Sequence, residues 1–307
     1  MGNTDLTGRT AVVTGAGAGL GRAEALALAA RGADVVVNDM GDAADDVVRE
    51  IEELGSRALA VKGDIGTWEM GQQLVDAAVD TFGGLDIVVN NAGITRDTML
   101  FNMSEQQWDD VIRVHLKGHA SLSRAASVHF RAASKAAGGP VYGRIINTAS
   151  EAFLFGAPGQ SNYAAAKAGI VALTLSTSRG MARYGVTANA ICPRARTEMT
   201  SRVFAEDPES RELDILAPER IGTFVSYLAS EAAARISGQV FVAYGDFVAL
   251  MAAPTVEQKF TAADGTFSVE ELDEQLTSYF ADRSEHQTYA AYSVAKLDTT
   301  GVESLNG

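Results

Sequence analysis

Tyr163 and Lys167 stand four positions apart in the stretch SNYAAAKAG, a spacing that on an α-helix brings two side chains onto one face, one turn apart. A fixed ammonium beside a phenol changes its chemistry. Free tyrosine titrates near pH ~10, and a positive neighbour favours the phenolate by roughly one to three units. The phenol can then serve as a general base towards an alcohol or as an acid towards a ketone. Thirteen residues before the tyrosine, Ser150 closes the run GRIINTAS. A hydroxyl at the carboxyl end of a strand in an open α/β sheet can point at a substrate oxygen. Singly, each of these residues also fits a buried tyrosine with a satisfied hydroxyl, a snorkelling lysine or a turn serine.

The elements that must position them are legible as alternating patterns. Short apolar runs rich in Val and Ile (TAVVTG, ADVVVND, RALAVKGD, LDIVVNNAG, GRIINTAS, VTANAICP and a last GQVFVAYG) are separated by longer helical stretches. Continuous apolar strands between helices imply a parallel sheet covered on both faces. The expected fold is therefore α/β, a doubly wound seven-stranded parallel sheet of the Rossmann type. One domain over residues 1–250 would hold the whole active site, and 251–307 would form a C-terminal extension, either a lid or an arm on a neighbouring subunit. Within that extension Ser268 and Glu271 form a capping box. Asp264, Gly265 and Glu271 echo half of a calcium loop, but Phe260 and Ala262 stand where ligands are needed, which argues against calcium.

TGAGAGLGRAEALALAARGA begins where the first strand ends and runs into a helix. Gly15, Gly19, Leu20 and Gly21 form a tight turn that lets backbone amides at the helix start meet a pyrophosphate. Asp39 ends the second strand about 20 residues later, where a carboxylate accepts hydrogen bonds from the adenosine ribose hydroxyls and repels a 2′-phosphate. The expected cofactor is NAD rather than NADP, and its oxidised ring would add a second positive charge beside Tyr163. Asp64 and Ile65 would flank the adenine, and Asn91, Ala92 and Gly93 would line the cleft after the fourth strand, although turn chemistry explains these equally.

Charge and composition narrow the partners. A net charge of −14 over 307 residues opposes binding to nucleic acid or an anionic membrane. The single cysteine, Cys192, excludes an intrachain disulfide and a Cys-rich zinc site and suits a reducing compartment. No run of about 18 apolar residues suggests a membrane span, and the amino terminus has no basic flank leading into an apolar stretch. A soluble, unprocessed, cytoplasmic protein is expected.

The combination TGAGAGLG, NNAG, Ser150 and YAAAK resembles the short-chain dehydrogenase/reductase family over roughly residues 6–250. The resemblance implies that Tyr163 is the acid/base, that Lys167 lowers its pKa and holds the nicotinamide ribose, and that Ser150 orients the substrate carbonyl. It also implies hydride transfer with a nicotinamide dinucleotide in a homo-oligomer, dimer or tetramer, whose subunits pair through long helices. The helix bearing Tyr163 would be one of them.

Two departures from the family pattern stand out. VIRVHLKGH places His115 where the family has an asparagine that holds a relay water. Imidazole also donates and accepts, so His115 can take that part. Its i, i+4 partner His119 has no third metal ligand beside it, and no metal is expected. After the sixth strand, CPRARTEMT carries Arg194 where the family has glycine. Pro193 lines the cofactor, Thr197 is the candidate for the nicotinamide amide, and Arg194 and Arg196 either bind an anionic part of the substrate or form ion pairs. RVHLKG with TGAGAGLGRA and VVVND is most similar to the hydroxyacyl-CoA dehydrogenase domains of multifunctional β-oxidation enzymes and their bacterial single-domain relatives. That likeness implies a lipid or steroid-side-chain 3-hydroxyacyl-CoA as substrate. The alternatives are reduction of a 3-oxoacyl carrier protein or other ketone with NADPH and, in another class, a catalytically silent dinucleotide sensor or scaffold.

Overall fold

Successive side chains of a strand point to opposite faces of the sheet, and both faces are apolar here. In the computed structural model, which describes residues 3–197, 214–284, 287–291, 294 and 297, the strands are β1 (Thr10–Thr14), β2 (Asp34–Asp39), β3 (Ala58–Lys62), β4 (Ile87–Asn90), β5 (Gly143–Thr148), β6 (Val186–Arg194), β7 (Val240–Tyr244) and β8 (Phe247–Leu250). They form one sheet in the order β3-β2-β1-β4-β5-β6-β7-β8.

The connecting helices are α1 (Gly19–Ala29), α2 (Ala43–Glu53), α3 (Trp68–Phe82), α4 (Glu105–Ile112), α5 (Gly118–Ala137), α6 (Ala152–Phe155), α7 (Ser161–Met181) and α8 (Pro218–Ala229). Ala11 and Val13 of β1 join Val35, Val37, Ile87 and Val89 in a core with α1, α2 and α8. Val12, Val36 and Val88, one residue out of phase, join a second core with α3 and α5. Each fully buried valine contributes roughly 1.5–3 kcal/mol, so a charge at Val12 would cost the fold heavily. On α8, Gly222 lets α1 approach closely: a Cβ there would lie 2.6 Å from the Ala23 carbonyl oxygen.

The seven strands read from the sequence are present, and an eighth joins them. β8 pairs antiparallel with β7, Tyr244 opposite Phe247, across a two-residue Gly–Asp loop of the kind that marks hairpins. It is only four residues long, FVAL, and although apolar throughout it alternates between half-buried and exposed positions. β1 is the switch point: the chain proceeds outward on one side to β2 and β3, then crosses to β4 on the other. A crevice opens there at the carboxyl ends of the strands.

The chain divides into two compact units, Met1–Met251 and Ala252–Gly307. The second contains α9 (Val269–Leu272) and α10 (Ser278–Ala281), joined by a π-helical turn. Ser268 Oγ accepts the Glu271 N–H at 3.0 Å, and Glu271 turns its carboxylate to the Ala263 N–H at 2.8 Å. Among the described residues no helix is long and apolar enough to cross a membrane.

Candidate active site

The crevice at the switch point is a cleft of about 570 Å³. Its floor begins at the turn between β1 and α1. The first turn of α1 has neither a side-chain cap nor an acidic residue, so its amide groups and the positive end of the helix dipole are left for an anion. That fits a pyrophosphate. Gly17 N–H donates to Asp39 Oδ2 at 2.8 Å, and Met40 N–H donates to Asp39 Oδ1 at 2.7 Å. A Cβ on Gly17 would press on that carboxylate at 2.9 Å; the sequence reading of the turn did not single this glycine out. Each carboxylate oxygen keeps a lone pair for a further donor.

Gly15, Gly19, Leu20, Asp39, Asp64, Ile65, Asn91, Ala92, Gly93, Pro193 and Thr197 all line the cleft, as do His115, Ser150, Tyr163 and Lys167. Gly21 does not. It sits behind the turn, where a Cβ would meet the Gly15 carbonyl oxygen at 2.2 Å, so it supports the turn rather than facing a ligand. Asp64 is committed on two sides, to Arg113 and to the Gly66 N–H at 2.8 Å.

At the other end of the cleft, α7 delivers Tyr163 and Lys167. Asn162 anchors the start of this helix by donating to the carbonyls of Arg96 (3.2 Å) and Gln107 (3.0 Å). Lys167 is buried, and its Nζ donates to the Thr148 carbonyl at 2.5 Å. The ammonium lies 5.4 Å from the centre of the Tyr163 ring. Ser150, just past β5, accepts the Ala152 N–H at 3.2 Å and lies near enough to the Tyr163 side chain to lower its pKa.

Electrostatics differ from the simple expectation in one respect. Burial is the largest influence on both members of the pair, pushing Tyr163 up to about 12 and Lys167 down to about 7. The Ser150 hydroxyl pulls the phenol the other way. Tyr163 keeps part of its surface open to the cleft, so charge arriving there reaches it directly.

His115 lies in a π-helical turn, Arg113–Lys117, between α4 and α5, a distortion common at functional sites. The ring meets Tyr163 edge-on at 5.1 Å. Its Nε2 sits between the Ile94 N–H (3.0 Å) and the Ile94 carbonyl (2.7 Å). Burial, and secondly Lys167, push it down to about 3, so the imidazole is neutral. A Cβ on Gly93 would strike its Cε1 at 2.3 Å; the histidine fits because that position is glycine. His115 Nδ1, His119 Nε2, Thr148 Oγ1 and Asn90 Oδ1 are buried without a partner among the described residues.

Arg194 and Arg196 are both ion-paired. Arg194 grips Glu151 with two bonds, Nε–Oε2 at 2.6 Å and Nη2–Oε1 at 2.7 Å, and Arg196 pairs with Asp214 at 2.8 Å. Of the two roles left open by the sequence, ion pairing is the one observed. Glu151 and Ile94 carried no motif of their own, and Gly17 stands unremarked inside TGAGAGLG. Only their neighbours Ser150, Gly15 and Gly93 pointed to the region.

A glycine turn at a switch point, an acid closing one end of the cleft and a Ser–Tyr–Lys group at the other define a dinucleotide-dependent oxidoreductase. Residues 9–208 match the short chain dehydrogenase family. The chain belongs to that family and is an oxidoreductase acting on a CH–OH group, with a nicotinamide cofactor. It is 54% identical to hydroxyacyl-CoA dehydrogenase ChsB1 of Mycobacterium tuberculosis, over 94% of this chain and 93% of that protein. It is 38% identical to the peroxisomal hydratase-dehydrogenase-epimerase of Saccharomyces cerevisiae, covering 96% of this chain but only 33% of that longer protein. The crystal structure of a short chain dehydrogenase from Mycobacterium avium superposes with a TM-score of 0.81 at 42% identity, over 90% of this chain and 95% of that one.

Proposed function

We propose that the protein is an NAD-dependent dehydrogenase that oxidises the 3-hydroxyl of a lipid-like or steroid-side-chain acyl-CoA. The observation that carries the reaction is the convergence of Ser150, Tyr163 and Lys167 at one end of a cleft closed by Asp39 at the other. The substrate class is supported by the 54% identity with the mycobacterial hydroxyacyl-CoA dehydrogenase.

Each side chain has a part that follows from its place. Ser150 holds the substrate oxygen through its hydroxyl, and Tyr163 removes the hydroxyl proton as the carbon is oxidised, or returns it in the reverse direction. Lys167, pinned by Thr148, keeps an amine beneath the phenol and holds the nicotinamide ribose. A bound nicotinamide dinucleotide supplies the hydride acceptor and a positive ring. Burial alone keeps Tyr163 protonated, which suits the acid role, so its base role is switched on by charge entering the cleft. His115 takes the relay position beside Tyr163, with the buried atoms around it offering partners to water.

Asp39 supports NAD over NADP. Its neighbour across the ladder on β3, Lys62, is held by Asp42 at 2.8 Å and Asp45 at 2.6 Å, away from the role of a 2′-phosphate partner. A homo-oligomer is supported by α7, whose Ala165, Ala168, Ala172 and Leu175 recur at helical spacing on its exposed side. A cytoplasmic location suits the buried free thiol of Cys192. The test is NADH formation from a panel of 3-hydroxyacyl-CoA esters and hydroxysteroids. Turnover confined to free alcohols would overturn the acyl-CoA reading, and a strong preference for NADPH with 3-oxoacyl substrates would favour the reductase.

A further inference from the structure

The ladder between β5 and β6 stops short of the active site. Its last paired residues are Thr148 and Ile191, with one more bond from the Ala149 N–H to the Ile191 carbonyl at 2.7 Å. Ser150 lies beyond that point on one strand, and Pro193 and Thr197 lie beyond it on the other. Main-chain hydrogen bonds of the ladder therefore do not set the separation of the two segments that face substrate and cofactor. A side-chain pair spans them instead. Glu151 directly follows Ser150, and Arg194 directly follows Pro193. Their side chains are only 10% and 8% exposed and meet in the two-bond fork described above.

We propose that the Glu151–Arg194 pair is a positioning latch, which fixes the Ser150 hydroxyl relative to the Pro193–Thr197 segment and so sets the substrate oxygen against the reacting face of the cofactor. A planar guanidinium gripping a carboxylate through two parallel bonds fixes orientation as well as distance, which a single ammonium cannot do. Taking two charges out of water seldom adds net stability compared with apolar residues of the same volume. Geometry is the return on burying this pair. A second contact steadies it: the Arg194 guanidinium carbon lies 5.6 Å from the centre of the Tyr244 ring on β7. The adjoining Cys192 thiol is pushed up to about 12 by burial and by the Glu151 carboxylate, which leaves it a neutral neighbour rather than a competing base.

The latch rests on the reading that Ser150 and Tyr163 carry the chemistry, and the experiment separates the two. The assay uses whichever alcohol the wild-type enzyme oxidises; loss of turnover in Tyr163→Phe establishes the site, and its survival there removes that reading without reference to the latch. Arg194→Lys keeps the charge but not the fork. It should melt near the wild-type temperature and bind NAD within about threefold of wild type, while kcat falls by about tenfold or more, since small misplacements of reacting groups are costly. A folded Arg194→Lys enzyme with wild-type kcat would overturn the latch. The double variant Glu151→Gln/Arg194→Gln removes both charges together. Continued slow turnover by its folded fraction supports positioning, whereas recovery of wild-type kcat would show that the pair serves only to cancel charge.

Discussion

Lys167 Nζ donates to the carbonyl of Thr148, the last residue of β5, at 2.5 Å, so the strand that leads into Ser150 also holds the lysine beneath Tyr163. Serine and lysine are thereby set from one strand end, and the helix supplies the tyrosine between them. Replacing Lys167 with Met should keep the helix, since both are good helix formers. It should nevertheless lower kcat by about 10²–10⁴, the range for a lost acid/base contribution. Retention of wild-type kcat across pH 7–10, measured under saturating substrate and NAD, would show that the Lys167 side chain has no part in the reaction.

Asp39 accepts two main-chain N–H groups and faces the cleft. In Asp39→Ala the specificity constant for NAD should fall by about 10- to 100-fold, as expected for one or two hydrogen bonds to a charged group. That for NADP should fall far less or rise, because the repelling charge is gone. The ratio of the two constants, measured with one alcohol, is the decisive quantity; an unchanged ratio would mean that cofactor choice lies elsewhere.

Gly93→Ala tests the placement of His115. The added methyl must displace the imidazole, whose Cε1 would be 2.3 Å away, and the ring stacks edge-on against Tyr163. Turnover should fall by about tenfold or more, with NAD affinity less affected. Because burial holds His115 down at about 3, it stays neutral through the working range. No limb of the wild-type rate profile between pH 5 and 8 should therefore disappear in His115→Asn. Loss of such a limb would assign His115 a titrating role.

Glu24 of α1 is fully buried, both carboxylate oxygens lack a partner among the described residues, and burial pushes it up from 4.5 to about 8. A folded value above the unfolded one stabilises the protein below the unfolded pKa and is lost as pH rises through the folded one. Glu24 thus withdraws stability between pH 4.5 and about 8, by an amount on the order of a few kcal/mol. Glu24→Gln should remove that slope, so its stability relative to wild type, from urea unfolding, should improve steadily from pH 5 to pH 8. Parallel curves would contradict the assignment. His115, with its folded value below 6.5, acts oppositely and withdraws stability as pH falls below about 6.5, so the comparison must be made against wild type at each pH.

The features that could be read from the chain are those with local signatures. The seven parallel strands announced themselves as apolar runs, and the cleft residues from Gly15 to Lys167 were marked by glycine spacing, strand ends and a helical i, i+4 pair. What escaped depended on partners distant in sequence. Arg194 could be seen as a departure from the pattern, but its choice of Glu151, 43 positions earlier, has no local sign. Glu24 falls among the alanines and leucines of α1 where any polar residue at a surface position would look the same, and only the folded chain reveals that it is enclosed. β8 was missed because its apolar run FVAL is only four residues long and stands two residues beyond that of β7.

The switch at β1 also has a consequence in time. The phosphate turn, Asp39, Asp64 and Asn91 all precede residue 92, whereas Ser150, Tyr163, Lys167 and Thr197 come from the second crossing of the sheet. During synthesis from the amino terminus, the growing polypeptide carries the glycine turn and Asp39 at one end of the cleft before it carries Ser150, Tyr163 and Lys167 at the other.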